Sequence, residues 1–206
     1  MIDIFDKKKI DKEFIVCHSG GAVGSDSFWE SEGAKYGIKT KAYSYKTKIH
    51  NSINKVEISR DDYLEGINEV KLANRVLCRY GIDKYMNLLA RNWAQVKYSD
   101  KLFAIGYIIN PGEKNKRGYY NKSEFQSIDG GTAYAFRMAI NNNKPVYVFD
   151  QGSNSWFRWS YVSMSFIKTD TPIIDCLNFA GIGTRELSEL GMDAIINVYK
   201  KTFNIS

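Results

Sequence analysis

The chain has 206 residues, of which 44% are hydrophobic and 25% charged, with only three prolines. That length suits one domain with a real core, and the balance excludes a disordered tail, a collagen-like repeat and a low-complexity linker. The net charge of +6 is compatible with nucleic acid, with nucleotides or merely with good solubility.

Phe14-Ile15-Val16-Cys17 is a short apolar run that ends at His18-Ser19-Gly20-Gly21 and leads into Phe28 to Tyr36. A buried strand, a glycine turn and a helix closing near Gly37 are predicted. Ile38 to Tyr45 alternates as a second strand does, which completes a β-α-β unit and predicts a parallel sheet. Lys46 to Arg60 is polar and basic, a surface excursion. Helical spacing follows over Asp61 to Arg79, with Tyr63, Ile67, Val70 and Asn74 on one face. A second helix carries Met86, Leu89, Ala90, Trp93 and Val96, and leads to the strand Leu102-Phe103-Ala104-Ile105, ending at Gly106. Asn110 to Ser127 is rich in Lys, Asn, Gly and Tyr and reads as a mobile lid or an exposed connection. Asp129-Gly130-Gly131-Thr132 opens another helix, and Pro145 to Phe149 is a strand with Asp150 at its end. Trp156 to Ile167 is an aromatic β excursion, Cys176 to Ala180 a final strand, and Gly181 to Glu186 a third glycine turn before a helix to about Phe203. No linker interrupts the chain. The expectation is one α/β domain over 1–206, Rossmann-like, with an open, mainly parallel sheet and helices on both faces.

Cys17, Cys78 and Cys176 are isolated and lack CxxC spacing, so they read as small buried residues rather than a disulfide framework or zinc site. His18 and His50 are the only histidines, and no metal or cofactor is expected. His18 and Ser19 are adjacent on a strand and point to opposite faces, so they make no catalytic dyad. The N-terminus lacks the apolar core of a signal peptide, and no apolar run approaches the roughly 20 residues of a membrane span. A cytoplasmic protein without a membrane partner is expected.

Glycines mark three strand-to-helix junctions: Gly20-Gly21, Gly130-Gly131 and Gly181-x-Gly183. In an open parallel sheet ligands bind at the carboxyl ends of strands, and a following helix offers unpaired N–H groups to an anion such as phosphate. Tight β-α turns also need glycine for their own sake. Neither a Walker A sequence nor a complete GxGxxG is present, which removes support for an ATPase or an NAD dehydrogenase.

Ser19-Gly20-Gly21-Ala22-x-Gly24-x-Asp26, Gly130-Gly131-Thr132-Ala133 before Lys144-Pro145-Val146, and Ala180 to Glu186 together resemble the SLOG superfamily. That Rossmann-like group includes the Lonely Guy phosphoribohydrolases, the DNA-processing protein A core and sensor domains for nucleotide-derived ligands. Arg91-Asn92-Trp93 fits a branch found in bacteria and their phages. The resemblance implies a protein that senses or sequesters an ADP-ribose-like or cyclic nucleotide, for example as a phage counter to nucleotide-based defence, and that assembles as a homo-oligomer. An N-glycosidic hydrolase of nucleotides is the alternative, and single-stranded DNA binding, which no basic run with interleaved aromatics supports, comes third. Lonely Guy enzymes carry a glutamate in Pro-Gly-Gly-x-Gly-Thr-x-x-Glu, where this chain has Arg137. Arginine can neither activate water nor stabilise positive charge at a glycosidic bond, so Glu186 or Asp26 would have to substitute.

The expected ligand site gathers Ser19, Gly20, Gly21, Ser25 and Asp26 from the first turn, and Gly106 from the third strand. It adds Gly130, Gly131 and Thr132, then Asp150, then Gly181, Gly183, Thr184 and Arg185. Asp26 either contacts a ribose hydroxyl or caps its helix. Arg91 and Arg185 are candidates for phosphate, Arg137 a further basic candidate. Asp150 either recognises ribose or a base amine, or forms a turn. Trp156, Phe157 and Trp159 are core or a stacking surface, and Tyr119 and Tyr120 could close over a ligand. The lysines of Met1–Lys12, Lys39–Lys55 and Lys114–Lys122 are assigned to solvated surface remote from the turns.

Overall fold

The computed structural model describes residues 10–46, 50 and 52–204. The chain opens with β1 (Val16–Ser19), α1 (Ser25–Lys35), β2 (Lys39–Ser44) and β3 (Lys55–Glu57). Two antiparallel helices follow, α2 (Arg60–Leu77) and α3 (Met86–Lys97), then β4 (Lys101–Gly106). A small two-stranded sheet of β5 (Ile108–Ile109) and β6 (Ser127–Ile128) precedes α4 (Thr132–Asn141). The rest is β7 (Val146–Asp150), β8 (Ser155–Ser160), β9 (Ser165–Thr169), β10 (Asn178–Gly183) and α5 (Glu189–Phe203).

Eight strands form one sheet in the order β3-β2-β1-β10-β4-β7-β8-β9, parallel from β3 through β7 and closed by an antiparallel meander. α1 and α5 cover one face, while α2, α3 and α4 pack against one another on the opposite face. The fold is therefore the expected open, mainly parallel α/β sheet with helices on both sides. Burial on two faces explains why β1, β4 and β10 read as apolar runs rather than alternating strands.

On the α1/α5 face, Trp29, Phe103, Phe179 and Tyr199 are almost wholly buried and meet at ring centroids 5.6–6.3 Å apart. The other face is aliphatic at its centre, with Val70, Leu102, Val148 and Met138 below 2% exposed. Helix ends follow sequence chemistry. Ser59 Oγ accepts the Asp62 N–H to start α2, and Ser188 Oγ accepts the Gly191 N–H to start α5. Cys78 and Asn204 end those helices in the left-handed conformation.

Four local expectations change. Lys55–Glu57 is a parallel edge strand inside the supposed surface excursion, fully exposed and therefore without an apolar pattern. The last strand runs on to Gly183, so Gly181 and Gly183 belong to β10 and not to the turn after it. Residues 110–122 fold as a hairpin, with Lys114 bridging Tyr120 and Gly118 turning back onto Asn115. Cys78 is exposed on the turn that ends α2, whereas Cys17 is buried and Cys176 half-buried. Burial pushes the Cys17 thiol far up and Cys176 up to about 12, which keeps both uncharged.

Candidate functional site

Strand order reverses around β1, β10 and β4: the chain leaves β1 outward to β2 and β3, then returns to β4 on the far side of β10. In open α/β sheets ligands bind at such a point, beyond the carboxyl ends of the strands. Gly20 follows β1 there. A Cβ on Gly20 would overlap the Arg91 guanidinium, so only glycine lets α3 deliver that side chain to the turn. Arg91 is 3% exposed; its Nη1 donates to Gln95 Oε1 at 2.8 Å and lies 3.9 Å from Asp26 Oδ2. Burial lowers the Arg91 pKa, and the nearby Asp26 charge opposes that shift. Arg91 Nε and Gln95 Nε2 are buried donors without a hydrogen-bond partner among the described residues.

Asp26 reaches beyond its own helix. Its Oδ1 accepts the Gly183 N–H at 3.0 Å, which ties α1 to the end of β10. Ser25 donates both its N–H (3.0 Å) and its hydroxyl (2.8 Å) to Thr184 O. The β10 loop thus occupies a donor of the α1 N-terminus that the sequence leaves open to an anion. Gly181 serves packing: a Cβ there would sit 2.7 Å from Trp29 Cγ. Ser19 Oγ lies 3.0 Å from Glu30 Oε1 and 3.2 Å from Asp26 O, and accepts the Gly21 N–H at 3.1 Å. Ser52 Oγ donates to the other Glu30 oxygen at 2.6 Å. Glu30 is therefore a buried carboxylate, 8% exposed, held by two hydroxyls and in no ion pair among the described residues. The His50 ring packs over Gly21, with Nδ1 accepting the Ser52 N–H at 3.3 Å.

The rim beyond β4 is more open. Gly130 and Gly131 are exposed at the start of α4, Thr132 is half-buried, and no side chain caps the helix. Arg79 donates to the Gly130 and Ile128 carbonyls, and Asn92, next to Arg91, reaches Gly131 O at 3.4 Å. Through Arg91 and Asn92 the middle of α3 touches both glycine turns. The 110–122 hairpin leans across this rim. Asn115 Nδ2 donates to Asp129 Oδ1 at 2.9 Å, and Lys116 Nζ lies 3.4 Å from Glu186 Oε2. Lys116 is thus not remote from the turns. Arg185 and Glu186 are exposed on the β10–α5 loop.

Several expected site residues are spent elsewhere. Gly106 is covered by Ile128, whose Cγ2 would meet a Cβ at 2.7 Å. Asp150 accepts from Ile108, Gly152 and Ser153 backbone N–H groups and the Ser153 hydroxyl, all to hold the ends of β7 and β4. Arg137 is buried with its guanidinium carbon 5.4–5.6 Å from the Phe125, Phe136 and Trp159 ring centroids. Trp156 and Trp159 are core residues. Tyr119 and Tyr120 are exposed on the hairpin. Sequence reasoning missed Glu30, four residues after Asp26 and so on the same face of α1. It also missed Gln151, whose buried amide accepts from Ser188 N–H and donates to Glu186 O, fixing the β10–α5 loop. A surface depression of about 350 Å3 beside Lys101, Tyr147, Asp170 and Lys201 lies away from these groups and contains none of them.

Fold and site together define a doubly wound α/β protein with a polar, partly buried constellation at its switch point. No protein-family model matches the chain, nor does any curated protein or solved structure. No helix among the described residues is long and apolar enough to cross a membrane. No group of three or more His, Cys, Asp or Glu there has the arrangement to hold a metal ion.

Proposed function

We propose that the protein binds a phosphate-bearing nucleotide or nucleotide-derived signal at the carboxyl ends of β1, β10 and β4, as a sensor or sequestering protein. One observation carries the reading: a buried guanidinium with an unused Nε–H lies directly beneath the glycine turn of β1, at the switch point. The exposed start of α4 adds a positive helix end on the same side, with the Gly130 N–H itself bonded to Asp129 Oδ1 at 2.6 Å. Arg185 supplies an exposed cation on the adjoining loop. Calorimetry with mono- and dinucleotides, cyclic forms and ADP-ribose variants tests the reading. Binding that is lost in Arg91→Met while the fold survives supports it, and a heatless titration across the panel ends it.

A second reading, hydrolysis of a nucleotide N-glycosidic bond, is favoured by Glu30, a buried carboxylate at the same strand end. Such a carboxylate is the group that hydrolysis of this type requires. Incubation with nucleoside monophosphates and NAD, followed by chromatography, separates the readings. Released base that disappears in Glu30→Gln makes the protein an enzyme; an intact bound nucleotide makes it a binder.

A further inference from the structure

The 110–122 hairpin reaches the site through an ion pair that an anionic ligand is equipped to replace. Lys116 Nζ sits 3.7 Å from the ring centroid of Tyr107, the residue that follows β4, and 3.4 Å from Glu186 Oε2. Its neighbour Asn115 is bonded to Asp129, and the Asp129 N–H is in turn bonded to Tyr107 O at 2.9 Å. Adjacent residues of one hairpin therefore contact both the turn before α4 and the turn after β10. The Lys116 and Glu186 side chains are 51% and 77% exposed, so their pairing is worth little in water. The cation is nevertheless held in place, because the Tyr107 face beneath it and the Asn115 anchor beside it do not depend on Glu186.

Building on the nucleotide-binding reading above, we infer that Lys116 is the hairpin's phosphate ligand and that Glu186 is the internal anion a phosphate displaces from it. A phosphate monoester or a diphosphate carries more charge than a carboxylate and offers more acceptor oxygens, so exchange at Lys116 favours the ligand. Glu186 then acts as a competitor built into the site: it keeps Lys116 paired and pointed at the rim, and weakens the ligand by the strength of the pair it loses. Tyr107 positions the ammonium. The class selected is a nucleotide with a phosphate reaching the rim of β10, in preference to a nucleoside.

Titration calorimetry of the full chain with ADP-ribose and 5′-AMP, with adenosine as the uncharged control, tests this. Glu186→Gln is expected to bind the nucleotides about two- to fivefold more tightly, the strength of an exposed pair. Lys116→Ala is expected to bind them roughly tenfold more weakly, and Lys116→Arg close to wild type. Adenosine affinity is unchanged throughout. Both side chains are exposed, and circular dichroism reports that the variants keep the fold. Wild-type binding with no change in either variant overturns the inference and leaves the nucleotide reading intact. Weaker binding in Glu186→Gln also overturns it, since Glu186 would then touch the ligand itself. A wild type that takes up no nucleotide removes the nucleotide reading and this inference with it.

Discussion

Two glycine-bearing junctions at the carboxyl end of the sheet are built in opposite ways. Where β1 and β10 meet α1, everything is filled: Gly181 lies against Trp29, Gly20 against Arg91, and Ser25 and Asp26 are hydrogen-bonded to the β10 loop. Where β6 meets α4, Gly130 and Gly131 are exposed, and a Cβ on Gly130 would meet nothing within 4 Å. The same residue type serves close packing in the first region and an accessible backbone in the second. A glycine turn in a sequence is thus two different statements, and the partner helix decides which.

Substitutions that act on one region and spare the other sharpen the contrast. The largest effect is expected from Asp26→Ala, which strips the buried Arg91 of its counter-charge and the Gly183 N–H of its acceptor. Urea denaturation should show a loss of roughly 3–5 kcal/mol, the size found when one member of a buried pair is removed. Gly181→Ala comes next. Its new methyl must push into Trp29, and the midpoint of the same titration should report about 1–3 kcal/mol.

His18 gives the filled region a pH dependence. It is 2% exposed, with Nδ1 2.9 Å from Tyr43 OH and Nε2 3.1 Å from Asn178 Oδ1, and burial holds its pKa below the ordinary 6.5. The unfolded chain takes up the proton first. Stability is therefore full above pH 6.5 and falls as the pH drops from there through the lowered folded value. Melting temperatures at pH 7.5 and 5 should show that slope in the wild type and a flatter one in His18→Gln. The smallest effect belongs to the open region. Gly131 has helical φ and ψ and a Cβ there would first meet Leu89 at 3.9 Å, so Gly131→Ala should change stability by less than about 0.5 kcal/mol. A cost as large as that of Gly181→Ala would erase the distinction.

Periodicity carried most of the fold. α2, α3, β4, α4 and β7 lie where apolar spacing and the flanking glycines predict them. β3 was invisible because an exposed three-residue edge strand, Lys55-Val56-Glu57, has no buried side chain to leave a pattern. β10 looked too short because glycine reads as punctuation, whereas Gly181 and Gly183 are the smooth stretch of strand on which α1 lies. Of the candidate site, Gly20, Asp26 and Arg91 were legible and do converge. Glu30 was not, because a polar residue inside a helix has no sign of burial until the neighbouring strand is placed. Arg137 was misjudged for the related reason that guanidinium groups stack on aromatic rings as readily as they bind phosphate.

The position of β10 also governs the order in which the molecule can be assembled. Its six residues, Asn178–Gly183, are the last strand among the described residues and yet occupy the centre of the sheet, between β1 and β4. Until they emerge from the ribosome, a nascent chain holds two half-sheets whose inner edges, β1 and β4, have no partner. Apart from Lys101 at the start of β4 those edges carry no Lys, Arg, Asp or Glu, and an unpaired edge of that kind recruits other chains. Closing them requires contacts between residues about 160 apart in the chain, 159 for Ser25 with Thr184 and 160 for His18 with Asn178. Synthesis that stalls before Asn178 is therefore the moment of greatest aggregation hazard, and the final strand acts as the keystone that commits both halves at once.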